Sequence, residues 1–214
     1  VTPMDKIFKL ILVAVSIVLG YLCVQSILIP IKFNEEKSFR EKVVIARLAD
    51  IRRAQVEYRT AKGVYTNSFD TLIAFVRQGK APIILKEGSL TDKQLEAGLT
   101  EKEAVRQGII KRDTTYVSIL ESLFGKNYPI DSIRYVPFSN PLTEFEMEKG
   151  ELTSGAAAIS VKVVEVRTPY TVYLNGLNRQ EIINIVETQE KMNKYPGLKF
   201  GSVTEANNNA GNWE

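Results

Sequence analysis

The 22 residues from Leu10 to Ile31 carry no charge, and this run limits what the chain can be more than any other feature. As one helix it is long enough to cross the hydrocarbon core of a bilayer, which takes ~20 apolar residues. A core helix of a soluble protein would show a polar face. Here the only polar side chains are Ser16, Tyr21, Gln25 and Ser26. We expect a transmembrane anchor, marked along its course by Leu10, Ile17, Tyr21 and Ile31.

A cleaved signal sequence fits less well. Its apolar region runs ~7–15 residues and ends in a small-residue site, whereas Gln25-Ser26-Ile27-Leu28-Ile29-Pro30 offers none. Lipid attachment at Cys23 is disfavoured by Leu22, which stands where a small residue belongs. Lysines flank the run on both sides: Lys6 and Lys9 before it, Lys32 and Lys37 after it. The short N-terminal side with its two lysines favours a cytoplasmic N-terminus. The expected layout is residues 1–9 in the cytoplasm, 10–31 as a single pass through the inner (cytoplasmic) membrane, 32–206 as an extracytoplasmic (periplasmic) α+β domain, and 207–214 as a polar tail.

Several function classes drop out on composition. The chain has no histidine and a single cysteine, Cys23, inside the apolar run. The exported part can therefore form no disulfide, and it lacks the residues of Ser-His-Asp, Cys-His and zinc sites. No phosphate-cradling glycine loop is present. The formal net charge of +3 is small and its cations are spread along the chain, which argues against nucleic acid as a partner. The run also lacks the ionisable groups of an ion path. We expect no enzyme, no cofactor and no metal site; the expected partners are membrane lipid and other envelope proteins or copies of the chain itself.

Beyond the run, Pro30 predicts a kink or break. Asn34 can then cap a long amphipathic helix over about 35–61, with Glu35 and Glu36 in its first turn. Val44, Leu48, Ile51, Gln55 and Tyr58 follow a four-three spacing of coiled-coil type. This seam suits either the buried face of a helix on its own domain or contact with a partner. Its N-terminal part, from Phe39 to Leu48, can stand free near the membrane or meet a neighbouring chain. Gly63 is placed to end the helix in a left-handed cap, and a second helix is predicted from Phe69 to Arg77, stopped at Gly79.

Residues 80–128 read less clearly. Thr91-Asp92-Lys93-Gln94 and Thr100-Glu101-Lys102-Glu103 have capping-box spacing, so short helical turns are expected. Tyr116 to Phe124 fits a strand or a helix. The rest is β-rich: Ile130–Phe138, Thr143–Met147, Ile159–Val166 and Tyr170–Leu174, with turns at Ser139-Asn140-Pro141, Glu148-Lys149-Gly150 and Thr168-Pro169, predict an antiparallel meander. Asn178 caps a helix through Asn193, with Ile182, Ile185, Val186 and Met192 facing inward. A last strand over Leu198–Val203 brings the sheet to about 130–203. The tail is expected to be flexible unless Trp213 docks.

Ile51-Arg52-Arg53-Ala54-Gln55-Val56-Glu57-Tyr58, then Gly63-Val64-Tyr65, then Phe69-Asp70-Thr71-Leu72, resembles the same region of type IV pilins and type II secretion pseudopilins. The resemblance covers roughly the first third of the chain. It implies a first helix that is both anchor and assembly surface, continuing into an amphipathic half packed on a C-terminal antiparallel sheet. The family's mature chain begins with an aromatic residue and carries a glutamate at its fifth position; here the start is Val1-Thr2-Pro3-Met4-Asp5-Lys6. Calcium binding in that family uses late acidic residues, and this chain has no aspartate after Asp131.

The first reading is therefore a non-enzymatic, pilin-like structural subunit of a cell-envelope assembly, such as a secretion or pilus-like machine. The second is a stand-alone bitopic binding module whose sheet presents Tyr135, Phe138, Phe145, Tyr170 and Tyr173 to a peptide or ligand. Strand aromatics also serve as core and cross-strand packing. A third, carboxylate catalysis at Glu144, Glu146 and Glu148, competes with their reading as the wet face of a strand.

Overall fold

The computed structural model describes residues 3–87, 100–108, 111–154 and 159–214. It is an α+β structure in which a long N-terminal helix, apolar in its first half, contacts a C-terminal antiparallel sheet. Helix α1 spans Pro3–Lys62 with Pro30 inside it. Of the kink or break expected at Pro30, the break is thus corrected, as is the cap predicted at Asn34: the helix runs through both. Proline removes one backbone donor, which apolar surroundings tolerate where neighbouring groups re-satisfy the freed carbonyl. Gly63 ends α1 as expected, at φ +75°, and its N–H donates to the Arg59 carbonyl at 2.7 Å.

The chain divides into two compact units, Arg53–Ser132 and Val1–Arg52 with Ile133–Glu214. In the first, α2 (Phe69–Gln78) starts at Ser68, whose hydroxyl accepts from the Thr71 N–H, and buries Phe69, Leu72, Ile73 and Val76. Gly79 caps it. A hairpin unforeseen in the sequence follows: β1 (Lys80–Glu87) pairs antiparallel with β2 (Lys111–Ser118), Lys80 opposite Ser118. Between them lies α3 (Glu101–Arg106), opened by the predicted capping box of Thr100 and Glu103. The other predicted box, at Thr91, lies outside the described residues. The ambiguous stretch Tyr116–Phe124 is both things in turn, the end of β2 and then α4 (Ile119–Phe124).

The second unit carries a three-stranded sheet in the order β3-β4-β5. β3 (Glu146–Ser154) and β4 (Ile159–Pro169) pair from Glu146 opposite Arg167 to Ser154 opposite Ile159. β5 (Gly197–Gly201) pairs with the end of β4. Four expectations change here and in the turn that leads into this unit. Ile130–Phe138 is not a strand: Ile130–Arg134 is a 3-10 turn, fixed by the Ser132 N–H and hydroxyl both donating to the Pro129 carbonyl. Glu148-Lys149-Gly150 lies inside β3, where the bare Gly150 leaves room for Val163 and Val203. Tyr170–Tyr173 forms α5, a helical turn that buries Tyr170, Tyr173 and Leu174. Their i, i+3, i+4 spacing is helical as well as alternating. Finally α6 (Arg179–Lys191), capped by Asn178 as predicted, only half-buries Ile182, Ile185 and Val186, and leaves Met192 exposed.

The core of this unit joins the face of α1 at Phe33, Val44, Leu48 and Ile51 to Val164, Val166, Tyr173 and Phe200. The residues after β5 are bound rather than loose. The Gly201 N–H donates to the Ala210 carbonyl at 3.0 Å and the Asn212 N–H to the Lys199 carbonyl at 3.0 Å. The Asn212 amide accepts from the Lys199 N–H at 3.1 Å and donates to the Gly197 carbonyl at 2.8 Å. They cover the outer edge of β5, a row of backbone groups that would otherwise be open to another chain.

Candidate membrane and binding surfaces

Two surfaces of the sheet-bearing unit can act on something outside the chain. The first is the N-terminal half of α1. None of its apolar stretch is buried in the fold; Leu10 is 71 % exposed, Ile17 68 %, Tyr21 62 % and Ile31 47 %. Its few polar side chains are mostly satisfied within the helix. The Ser16 hydroxyl donates to the Leu12 carbonyl at 2.9 Å, and the Gln25 amide to the Tyr21 hydroxyl at 3.0 Å. Such internal pairing removes most of the cost of placing these groups in hydrocarbon. Twenty-two residues rise ~33 Å, matching a hydrocarbon core of ~30 Å. This helix is long and apolar enough to cross a membrane.

Above it, Arg40 ties α1 to the sheet-bearing unit. Its guanidinium donates to the carbonyls of Tyr173 and Asn175, both at 3.0 Å, pairs with Glu36 at 2.9 Å and lies over the Phe138 ring at 5.2 Å. Arg52 does the same at the far end, pairing with Glu214 at 2.6 Å and lying 6.0 Å from the Trp213 ring. Both contacts join residues far apart in sequence, and the sequence pattern points to neither arginine's partner. Their side chains lie on the helix face that also carries the buried stripe, which is the signal that could have found them.

The stripe itself is placed plainly. Val44, Leu48, Ile51 and Gln55 are fully buried within the folded chain. Tyr58 is half-buried and meets the Phe75 ring edge-on at 5.0 Å. Phe39 stays 56 % exposed, with its ring 6.0 Å from that of Phe138. Gln55 is the polar member, and it has a specific task. Its amide donates to the Thr66 carbonyl at 2.7 Å and accepts from the Thr66 N–H at 3.2 Å, fastening the turn after Gly63 to the helix.

The second surface is a groove of about 590 Å³ whose walls include Lys37, Glu41, Tyr170, Tyr195, Lys199 and Trp213. Lys37 pairs with Glu41 at 2.9 Å and sits 5.6 Å from the Tyr170 ring. Lys199 pairs with Glu165 at 3.2 Å and sits 6.0 Å from the Tyr195 ring. Burial, and secondarily the charge of Glu146, pushes the Tyr195 hydroxyl up to about 12. Burial also raises Tyr173, beside Glu41. Both phenols are thus neutral donors at ordinary pH.

The aromatics expected to present a binding face divide differently. Phe145, Tyr170 and Tyr173 are buried, and Phe138 is exposed. The three glutamates of the carboxylate reading are engaged in ion pairs. Glu146 and Glu148 hold Arg167 at 2.8 and 2.7 Å, and Glu144 meets Arg134 at 3.3 Å. Glu165, itself buried, holds Arg167 at 2.8 Å. Arg167 is therefore the hub of this face, and its neighbours hold its pKa above the ordinary value, the hydrogen bond to Glu146 most of all. Among the described residues no group of three or more acidic or cysteine side chains is arranged to hold a metal ion.

The order of elements, a long apolar helix followed by antiparallel sheets, is consistent with a pilin-like architecture. The chain matches no protein-family model, and searches of characterised proteins and of solved structures find no significant match.

Proposed function

We propose that this chain is a single-pass, membrane-anchored structural subunit of a cell-envelope assembly, pilin-like in build, working through protein contacts and carrying out no chemistry. The observation that supports it most is α1 itself. One unbroken helix exposes an apolar half of bilayer length and, beyond it, buries Val44, Leu48 and Ile51 in the sheet-bearing unit. A chain built this way presents a folded unit at a fixed distance from a membrane. Lys6 and Lys9 ahead of the span favour an N-terminus in the cytoplasm and the folded units outside it, at the inner membrane.

The test is the native mass of the full-length protein in mild detergent, with crosslinking in intact membranes and identification of whatever is captured. A defined complex, of copies or of other envelope proteins, is the expected result. A monomer that crosslinks to nothing would sink the assembly reading. It would leave a stand-alone binding module, which the tyrosine- and lysine-walled groove supports as the second reading. That groove would then be screened with extended peptides.

A further inference from the structure

We propose that the loop Gly176-Leu177-Asn178, between α5 and α6, rests on the bilayer surface as a lipid-contacting foot of the sheet-bearing unit. The inference rests on the reading of Leu10–Ile31 as a bilayer span. Its basis is a shallow groove of about 470 Å³ at the foot of the unit. Ile29, Lys32, Phe33 and Glu36 of α1 form one wall, and the three loop residues form the other. Ile29 belongs to the uncharged run. It lies ~3 Å along the helix axis from Ile31, where that run ends. A loop that shares a groove with Ile29 is therefore level with the edge of the hydrocarbon.

The fold leaves no spacer to lift the loop away. Phe33, two residues beyond the run, is already only 4 % exposed. Arg40 grips the carbonyls of Tyr173 and Asn175, the chain that leads into the loop. The Asn175 amide in turn donates to the Asn140 carbonyl, bracing the loop from the side. The interfacial layer on each side of a bilayer is ~5–7 Å deep, enough to take one loop.

The chemistry fits lipid rather than water. Leu177 is an apolar side chain at the tip, next to Gly176 in the left-handed region at φ +85°. Lys32 shares the groove; a lysine at this height lays its stem along apolar surface and reaches the phosphates with its ammonium. The groove is also continuous with exposed apolar surface of the span, at Leu28, Ile29 and Ile31. Lipid that solvates the span meets the loop without a gap.

The experiment uses full-length protein carrying Cys23→Ser, with single cysteines placed by Ile17→Cys, Leu177→Cys or Lys42→Cys and labelled with a small fluorophore. Each is reconstituted into phosphatidylcholine–phosphatidylglycerol vesicles, with or without bromines on the acyl chains. Bromines should cause loss of fluorescence at positions 17 and 177 and none at 42, which is exposed ~16 Å beyond Ile31 along the helix. Quenching at 17 without quenching at 177 would overturn the foot and leave the span intact. No quenching at 17 would remove the span reading and the foot with it. Should the Leu177 variant not fold, Arg179→Cys, exposed in the first turn of α6, takes the same readout. If position 177 is unquenched in vesicles yet shielded from labelling in native membranes, the occupant is a protein and the lipid assignment is wrong.

Discussion

Gln55 shows how much one buried polar side chain can carry. It satisfies both backbone groups of Thr66, itself buried, and nothing apolar can replace that. Gln55→Leu should destabilise the unit Arg53–Ser132 by about 1–3 kcal/mol for each backbone group left without a partner. A lower urea midpoint with an unchanged slope would report it; an unchanged midpoint would mean that Thr66 finds other partners. Tyr195 gives a second test at this scale. Its hydroxyl is raised to about 12 in the fold, against ~10 in an unfolded chain. A raised folded value means the contribution is fully present below about 10 and is lost as pH climbs through about 12. Thermal midpoints in detergent should therefore fall across that window, with Tyr170 and Tyr173 acting in the same direction. Tyr195→Phe should flatten part of the fall, and a slope identical to that of the parent would remove Tyr195 as a cause.

Among the elements, the segment covering β5 is the one whose role the sequence conceals. Asn207 to Asn212 reads as a loose polar tail, yet its backbone and the Asn212 amide occupy the edge of the sheet. Asn212→Ala should cost roughly 1–3 kcal/mol by freeing the Lys199 N–H and the Gly197 carbonyl. It should also raise self-association, read as mass against concentration by light scattering; stability and mass both unchanged would mean the edge is held by other contacts. The elements that were legible share a local cause. Ser68, Thr100 and Asn178 cap helices by bonds within three residues, and Gly63 ends α1 by its own backbone freedom. Those that misled depend on distant partners. Gly150 continues a strand because Val163 and Val203 fill the space beside it, and the sequence near Gly150 contains neither fact. Tyr170–Leu174 satisfies both periodicities, and burial of Tyr170, Tyr173 and Leu174 together decides for the helical turn.

At the scale of the whole molecule, the four-three spacing left open what covers the second half of α1, while its exposed apolar first half was readable from the absence of charge. The side chains that join the packed half to the sheet were not, because Arg40 and Arg52 find partners more than a hundred residues away. The span makes a direct prediction. Ile17→Lys places a charge near its centre, at about 3 kcal/mol against insertion. Less protein should remain in the membrane pellet after alkaline carbonate washing, while Lys42→Glu, outside the span, should leave the pellet fraction unchanged. Equal pellet fractions for the two would argue that something other than the run holds the chain there. The unbroken course of α1 past Pro30 has one more consequence. A helix turns about 100° with each residue, and no flexible joint separates the span from Phe33 and Arg40. In the proposed membrane-anchored subunit, the number of residues between them therefore works as a compass setting: one residue more or less would swing the sheet by roughly a quarter-turn about the helix axis and turn it away from any partner it is built to meet.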